Sequence, residues 1–523
     1  MSLEEFLLNL HFDIDKASVP NWEVDWEDAP LPYKLYNGLP EVPFSLEVPL
    51  TLEEQEPPTK PDLRKIGHFL WYVYGLTQVS QSVFPLDPTA KTANRVQSFR
   101  RFAPSGGALY PNELYIYLKI EDLPVGVYHY DVAHHRLVLL REGNFDSYLA
   151  RALGNRCDVS ACFGSVFVST LFWKNFYKYN NFSYRLQGLD AGVVIGQLLE
   201  VAKRFGFATG VYFQFLDRAL NHLVGLSEQE ESVYAVIPLS VEPTIWSTNG
   251  SKIDITASEL CRELTVIQPN HYVRSKRVKE YPMLTKLNEA SLLDTTQSFR
   301  FIEATESLNF DGQGEPLPQV NRLSYDLASA CRKRFSLDMD FVLGKVSQIQ
   351  LATLMQEATA SFSYRNDLDR TYRKNEPRVS IYGCLYNVEG IPNGAYYYDS
   401  TTHELRKVNL GDYRLQLQSG MSLDNVNLIQ VPLCLHVAGD RETFRTALGY
   451  RGYRIQQMEA GMLVQRLLLA ASALGMGGHP LLGFDANLSD QIYKMDSQGK
   501  TSLIQVPIGP YRQRPWLKGS LHS

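Results

Sequence analysis

Apolar residues recur at helical spacing over Tyr184–Phe205: Leu186, Leu189, Val193, Val194, Leu198, Val201, Ala202 and Phe205, with no proline. This pattern predicts a buried helix. Ala191, Gly192 and Gly196 on it predict close packing against another backbone. Glu113–Ile120 alternates and is rich in aromatics, which predicts a strand. Val125–Asp131 and Arg136–Leu140 predict a hairpin joined through Ala133, His134 and His135. Ser165–Thr170 and Val233–Leu239 predict two more strands, and Leu63–Tyr74 a helix before the first strand. Long helices mixed with strands and hairpins place the chain in the α+β class.

The pattern occurs twice. Asp122–Leu137 and Gly390–Leu405 share seven of sixteen positions at a shift of 268 residues. Tyr184–Gly206 and Tyr453–Gly475 share nine of twenty-three at a shift of 269. Pro238 and Pro507 are also 269 apart. A unit of this size repeated once is a domain duplication, not a solenoid. Val346–Ala360 takes the place of the leading helix in the second copy. The expected organisation is an arm at 1–58, a first unit at 59–245, a connector at 246–320 and a second unit at 321–523. The arm is proline-rich and acidic, and Asn309–Gln319 in the connector predicts a loop.

Composition narrows the function class. Of 523 residues, 44% are hydrophobic and 21% charged, as in ordinary globular proteins. A net charge of −6 argues against a general nucleic-acid binder. No apolar run is long enough to predict a membrane span. Acidic residues at Glu4 and Glu5 argue against a signal peptide, so a cytoplasmic protein is expected. The six cysteines include no CxxC pair, and no metal site is expected. Cys157, Cys162 and Cys384 have no base at a telling spacing. His134, His135 and His403 are expected at the surface or in hairpin turns. His479, and the equivalent pair Asp190 and Glu459, are expected in structural roles.

Two segments carry candidate chemistry. Arg100–Pro111 reads RRFAPSGGALYP. Ser105, Gly106 and Gly107 make a tight turn whose backbone can approach a ligand. Lys174–Arg185, KNFYKYNNFSYR, places Lys178 beside Tyr179. A lysine cation near a phenol favours the phenolate, which can act as a base. Each segment alone also reads as a plain turn or a solvated basic stretch.

Together these motifs resemble those of the SagB-type dehydrogenases, which have an FMN-dependent nitroreductase-like fold. PSGGALYP before an aromatic strand, KY followed by YR, and a D/E-A-G helix carry the resemblance over residues 60–240. The repeat extends it to about 320–515. The second half departs from the pattern: Tyr372–Val379 replaces PSGGALYP, and Ala447–Leu448 replaces Lys178–Tyr179. Conversely, basic motifs that hold the flavin phosphate in the family match Arg332–Ser336 (RKRFS) and Arg512–Pro515 (RQRP) only. The resemblance therefore implies an intrachain pseudo-dimer with one FMN site. The first half would supply Ser105, Gly106 and Gly107. The second would supply Arg332, Arg334, Ser336 and Arg512 or Arg514.

It further implies oxidation of thiazoline or oxazoline rings in a peptide to azoles. The flavin takes a hydride, and Lys178 and Tyr179 handle the proton. A cyclodehydratase is the implied partner, and a homodimer is compatible with the sequence. The alternatives are an NAD(P)H-dependent nitro or quinone reductase of the same fold, acting on a small molecule, and an inactive scaffold.

Overall fold

The computed structural model describes residues 1–53, 56–84, 94–244, 254–302, 314–360, 363–369, 378–513 and 519–520. Two seven-stranded antiparallel sheets share one strand order. In the first, the strands run 41–43, 136–142, 126–131, 112–118, 164–171, 231–240 and 208–209 across the sheet. In the second they run 315–316, 404–410, 394–399, 380–385, 433–440, 500–509 and 477–478. The first-named strand of each sheet aside, every strand of the second starts 268 or 269 residues after its counterpart. The α+β class and the duplication read from the sequence are those of the structure. Val42, near the start of the chain, pairs with Leu137 at the edge of the first sheet.

The helices Leu63–Tyr74, Ser183–Arg204 and Gln348–Ala360 lie where the apolar spacing places them. Leu63–Tyr74 starts on Asp62, whose carboxylate accepts from the Lys65 N–H at 2.7 Å. Ser183–Arg204 is buried along nearly its whole length, because it packs on its repeat, the Thr443–Ala473 helix. A Cβ at Gly192 would overlap the Met458 carbonyl, and one at Gly461 would overlap that of Leu189. Gly192 and Gly461 are repeat equivalents, as are Leu189 and Met458. Tyr184 and Tyr453, equivalent again, stack at 6.1 Å. Self-complementary contacts of this kind define a two-fold axis, here within one chain.

The histidines lie at hairpin turns, as the sequence predicts, although His135 is not at the surface. His135 is buried and pairs through Nδ1 with the Tyr130 hydroxyl at 2.9 Å. His403 repeats the contact with Tyr398 at 2.8 Å. Both sit at positive φ at a hairpin tip, which carries the ring back over the preceding strand. Among the described residues no helix is long and apolar enough to cross a membrane, and no cluster of metal-ligating side chains occurs. Most of the expected 309–319 loop lies outside the described residues.

Candidate functional site

The site forms where the Pro104–Gly107 turn meets the end of a short helix, Trp173–Tyr179. Gly107 adopts φ 64°, a conformation that disfavours a side chain. A Cβ there would overlap the Tyr179 hydroxyl and lie 3.1 Å from Lys178 Nζ. The structure thus brings together Gly107, Lys178 and Tyr179, three of the residues singled out in the sequence. Lys178 and Tyr179 converge because the helix stops at Asn180 (φ 40°, ψ −133°), immediately before the long helix begins. Gly449 repeats this break in the second unit (φ 58°, ψ −144°), but Ala447 and Leu448 precede it.

Asp190, about two turns along the long helix, pins the turn from behind. Its carboxyl accepts from Ser105 Oγ at 2.6 Å and from the Gly106 N–H at 3.1 Å. Ser105 Oγ in turn accepts from the Tyr110 N–H at 2.9 Å. Burial raises the Asp190 carboxyl to about 7, against the pull of the Ser105 and Gly106 hydrogen bonds. Asp190 thus makes the kind of structural hydrogen bond that its symmetry with Glu459 suggests, and here the bond holds the candidate turn.

The phenolate expected at Tyr179 is not favoured. Burial pushes the Tyr179 phenol up to about 12, and the carboxyl of Asp190 adds to the rise. Burial also lowers the Lys178 ammonium. Low polarity disfavours both charged forms, so it outweighs the attraction between them. At neutral pH Tyr179 is a proton donor, and Lys178 is the more easily deprotonated of the pair.

Of the basic residues expected to hold a phosphate, Arg334 reaches this side of the first unit. Arg334 is buried, and its backbone carbonyl accepts from the Arg100 guanidinium. Arg100 also donates to Gln78 Oε1 at 3.1 Å. The chain's closing stretch arrives at the same place, with Ser520 paired to Gln78 and Gly519 to Val79. Among the described residues the Arg334 Nε has no hydrogen-bond partner. Burial, with Arg100 nearby, lowers this guanidinium to about 10. A buried guanidinium with no ion pair among the described residues fits an anion such as a phosphate.

The other predicted ligands are less concentrated. Arg332 turns away and donates to the Leu50 carbonyl at 2.6 Å. Ser336 and Arg512 are exposed. Their backbones lie close, with Phe335 edge-on to Tyr511 at 5.4 Å and the Arg512 N–H on the Asp340 carbonyl at 3.0 Å. Arg514 lies outside the described residues. Arg100 is missed by the sequence reading, although the RR pair directly before the PSGG turn marks it.

A buried ionic cluster seats the helix. Lys174 donates to the Tyr110 carbonyl at 3.1 Å and to the Glu113 carboxylate, which also pairs with His129 at 2.9 Å. Burial lowers the Lys174 ammonium to about 8 despite Glu113. Removing one partner of such a pair strands the other charge. Glu113→Gln should therefore cost about 3–5 kcal/mol, read as a lower midpoint in chemical denaturation.

At the repeated position the carboxylate is differently engaged. Arg378 stands where Tyr110 does in the first unit, and it clamps the Glu459 carboxylate. Tyr364 donates to the same carboxylate at 2.9 Å, and Asp369 pairs with Arg378. A cavity of about 320 Å³ adjoins this cluster. Most of the segment replacing PSGGALYP, 372–377, lies outside the described residues.

Comparisons with known proteins agree with this architecture. A 145-residue stretch is 33% identical to the trifolitoxin-processing protein TfxB of Rhizobium leguminosarum bv. trifolii, covering 26% of this chain and 38% of that protein. A 131-residue stretch is 26% identical to a Methanocaldococcus jannaschii protein named as a nitroreductase, covering 25% of this chain and 64% of that one. The chain thus spans less than two thirds of either relative. A crystal structure from Anabaena variabilis, also named as a nitroreductase, superposes over 98% of this chain and 99% of its own with a TM-score of 0.71. At 19% identity that likeness establishes the fold. The nitroreductase family description matches residues 56–239 and 388–509, more than half of the sequence, and the chain belongs to that family.

Proposed function

We propose that this protein is an FMN-dependent oxidoreductase with one flavin site per chain, and that it oxidises thiazoline or oxazoline rings in a peptide to azoles. The observation that carries this reading is the meeting of the Gly107 turn with Lys178 and Tyr179, near the buried Arg334, whose Nε has no hydrogen-bond partner among the described residues. The Arg378–Glu459 clamp at the repeated position supports a single site. Similarity to a trifolitoxin-processing protein supports a peptide substrate. The division into an arm (1–58), two units (59–245 and 321–523) and a connector (246–320) is part of the reading. So is a cyclodehydratase partner in the cytoplasm that makes the azoline.

Arg334 and Arg100, with Ser336 and Arg512, would hold the phosphate, and the Ser105–Gly107 backbone would line the ring system. When bound, the flavin supplies the two-electron acceptance that ring oxidation requires. The chain's own task is to orient the azoline and remove a proton. Lys178 Nζ, with its ammonium destabilised by burial, takes that proton. Tyr179 Oη keeps its own and donates a hydrogen bond to the substrate.

Flavin released from the purified chain should amount to one FMN per polypeptide; two would overturn the proposal. Arg334→Ala should weaken flavin retention roughly ten- to a hundredfold, the loss of one charge-assisted hydrogen bond. Incubation with an azoline-containing peptide should remove two hydrogens by mass spectrometry. NADH-driven reduction of a nitroarene with no change in the peptide would instead mark a reductase.

A further inference from the structure

The leading segment of the chain comes to the site without being part of either repeat. It is tied down along the Trp173–Tyr179 helix. Asn181 Nδ2 donates to the Ala17 carbonyl at 2.7 Å, and Trp22 Nε1 donates to the Tyr177 carbonyl at 3.1 Å. The Trp22 ring meets Phe176 edge-on at 5.1 Å. Further on, the Asp28 carboxylate accepts from the Lys276 and Arg277 N–H groups at 2.8 Å each, and Asp25 pairs with Arg277. Between these anchors stands Trp26, 62% exposed and edge-on to Tyr177 at 6.2 Å. So exposed an indole on so firmly held a segment needs a reason.

Its neighbour supplies one. Lys178 Nζ lies 5.6 Å from the Trp26 ring and 4.9 Å from the ring of Tyr179. The Gly107 turn closes the remaining side. Among the described residues Lys178 has no carboxylate within ion-pair distance. Its ammonium is held by two aromatic faces, which attract a cation without neutralising it. A carboxylate would fix the charged form and spoil a base; an aromatic face positions the amine and leaves it free to give up its proton.

We infer that Trp26 is a positioning residue for Lys178, so that the leading arm completes the site formed by the first unit. This rests on the proposed role of Lys178. Groups near Lys178 that titrate or carry charge are Lys174, Tyr177 and Tyr179 on its own helix and Asp190 behind Tyr179. The arm's Asp25 and Asp28 are engaged by Arg277 and by the Lys276 and Arg277 N–H groups.

The test compares Trp26→Leu, which keeps bulk but loses the π face, with Trp26→Phe, which keeps a smaller face. Both are made in the full chain. The first readout needs no turnover: acylation of Lys178 by an amine-selective ester, followed by peptide mass mapping. Trp26→Leu should raise that rate about two- to fivefold, the effect of one partly exposed cation–π contact, and Trp26→Phe should restore most of the protection. The second readout is kcat against KM on a substrate whose conversion needs Lys178. Trp26→Leu should lower kcat with KM little changed, and Trp26→Phe should rescue it. Equal labelling in wild type and Trp26→Leu, or equal defects in both variants, would overturn the inference. Full turnover by Lys178→Ala would instead sink the proposed role of Lys178, and the labelling comparison would then decide alone whether Trp26 holds the amine.

Discussion

The double variant Tyr179→Phe, Lys178→Ala should retain its flavin and lose azoline oxidation by roughly 10²- to 10⁴-fold, the usual worth of positioned proton transfer. Flavin should stay because neither side chain belongs to the basic cluster around Arg334 and Arg100. The single variants should separate the two roles. Burial lowers the Lys178 ammonium, so the wild-type rate should rise with pH through that lowered value and level off once the amine is neutral. Tyr179→Phe should keep this rise at a reduced plateau, because the phenol, held up near 12, stays protonated across the range and does not shape it. Lys178→Ala should lose the rise altogether. A plateau absent from Tyr179→Phe but kept in Lys178→Ala would reverse the assignment. Full turnover by the double variant would remove both residues from the chemistry.

Some parts of this site are legible in the sequence, and others are hidden for physical reasons. The duplication is visible because strand and helix cores must be filled with apolar side chains in a fixed order, so YHYD and YYYD survive as a pair. The meeting of Gly107 with Tyr179 is only half visible. Both motifs stand out, but they lie far apart along the chain, and only the fold closes that distance. The sign of the Tyr179 shift is misread because adjacency to a lysine suggests attraction, whereas burial of both groups depends on tertiary packing. Asp190 is legible in the sequence only as a structural residue, because Glu459 repeats it. Helix position is shared between the copies, but the partners differ: a serine and a glycine N–H in one unit, an arginine and a tyrosine in the other. Trp26 has no repeat to mark it and no motif around it.

The largest effect on stability is expected at the intrachain two-fold axis. Gly192 and Gly461 let the two long helices touch backbone to backbone, and any Cβ would overlap a carbonyl of the opposite helix at Met458 or Leu189. A flexible side chain can move aside; a helical carbonyl cannot without shifting its whole turn. Gly192→Val should therefore cost about 5 kcal/mol or more, beyond the range of ordinary core substitutions. Gly461→Val should match it, since the two positions are equivalent. Gly196 is the internal comparison. Its nearest contact would be 3.2 Å from Met462 Cα, so Gly196→Ala requires only a slight adjustment and should cost far less. Thermal unfolding should place the two valine variants together, well below Gly196→Ala. Flavin retention should fall with the first two, because the turn lies on one unit and Arg334 on the other, and parting the helices parts the site. A wild-type melting temperature in Gly192→Val would mean that the helices do not cross there, and the shared site would lose its foundation.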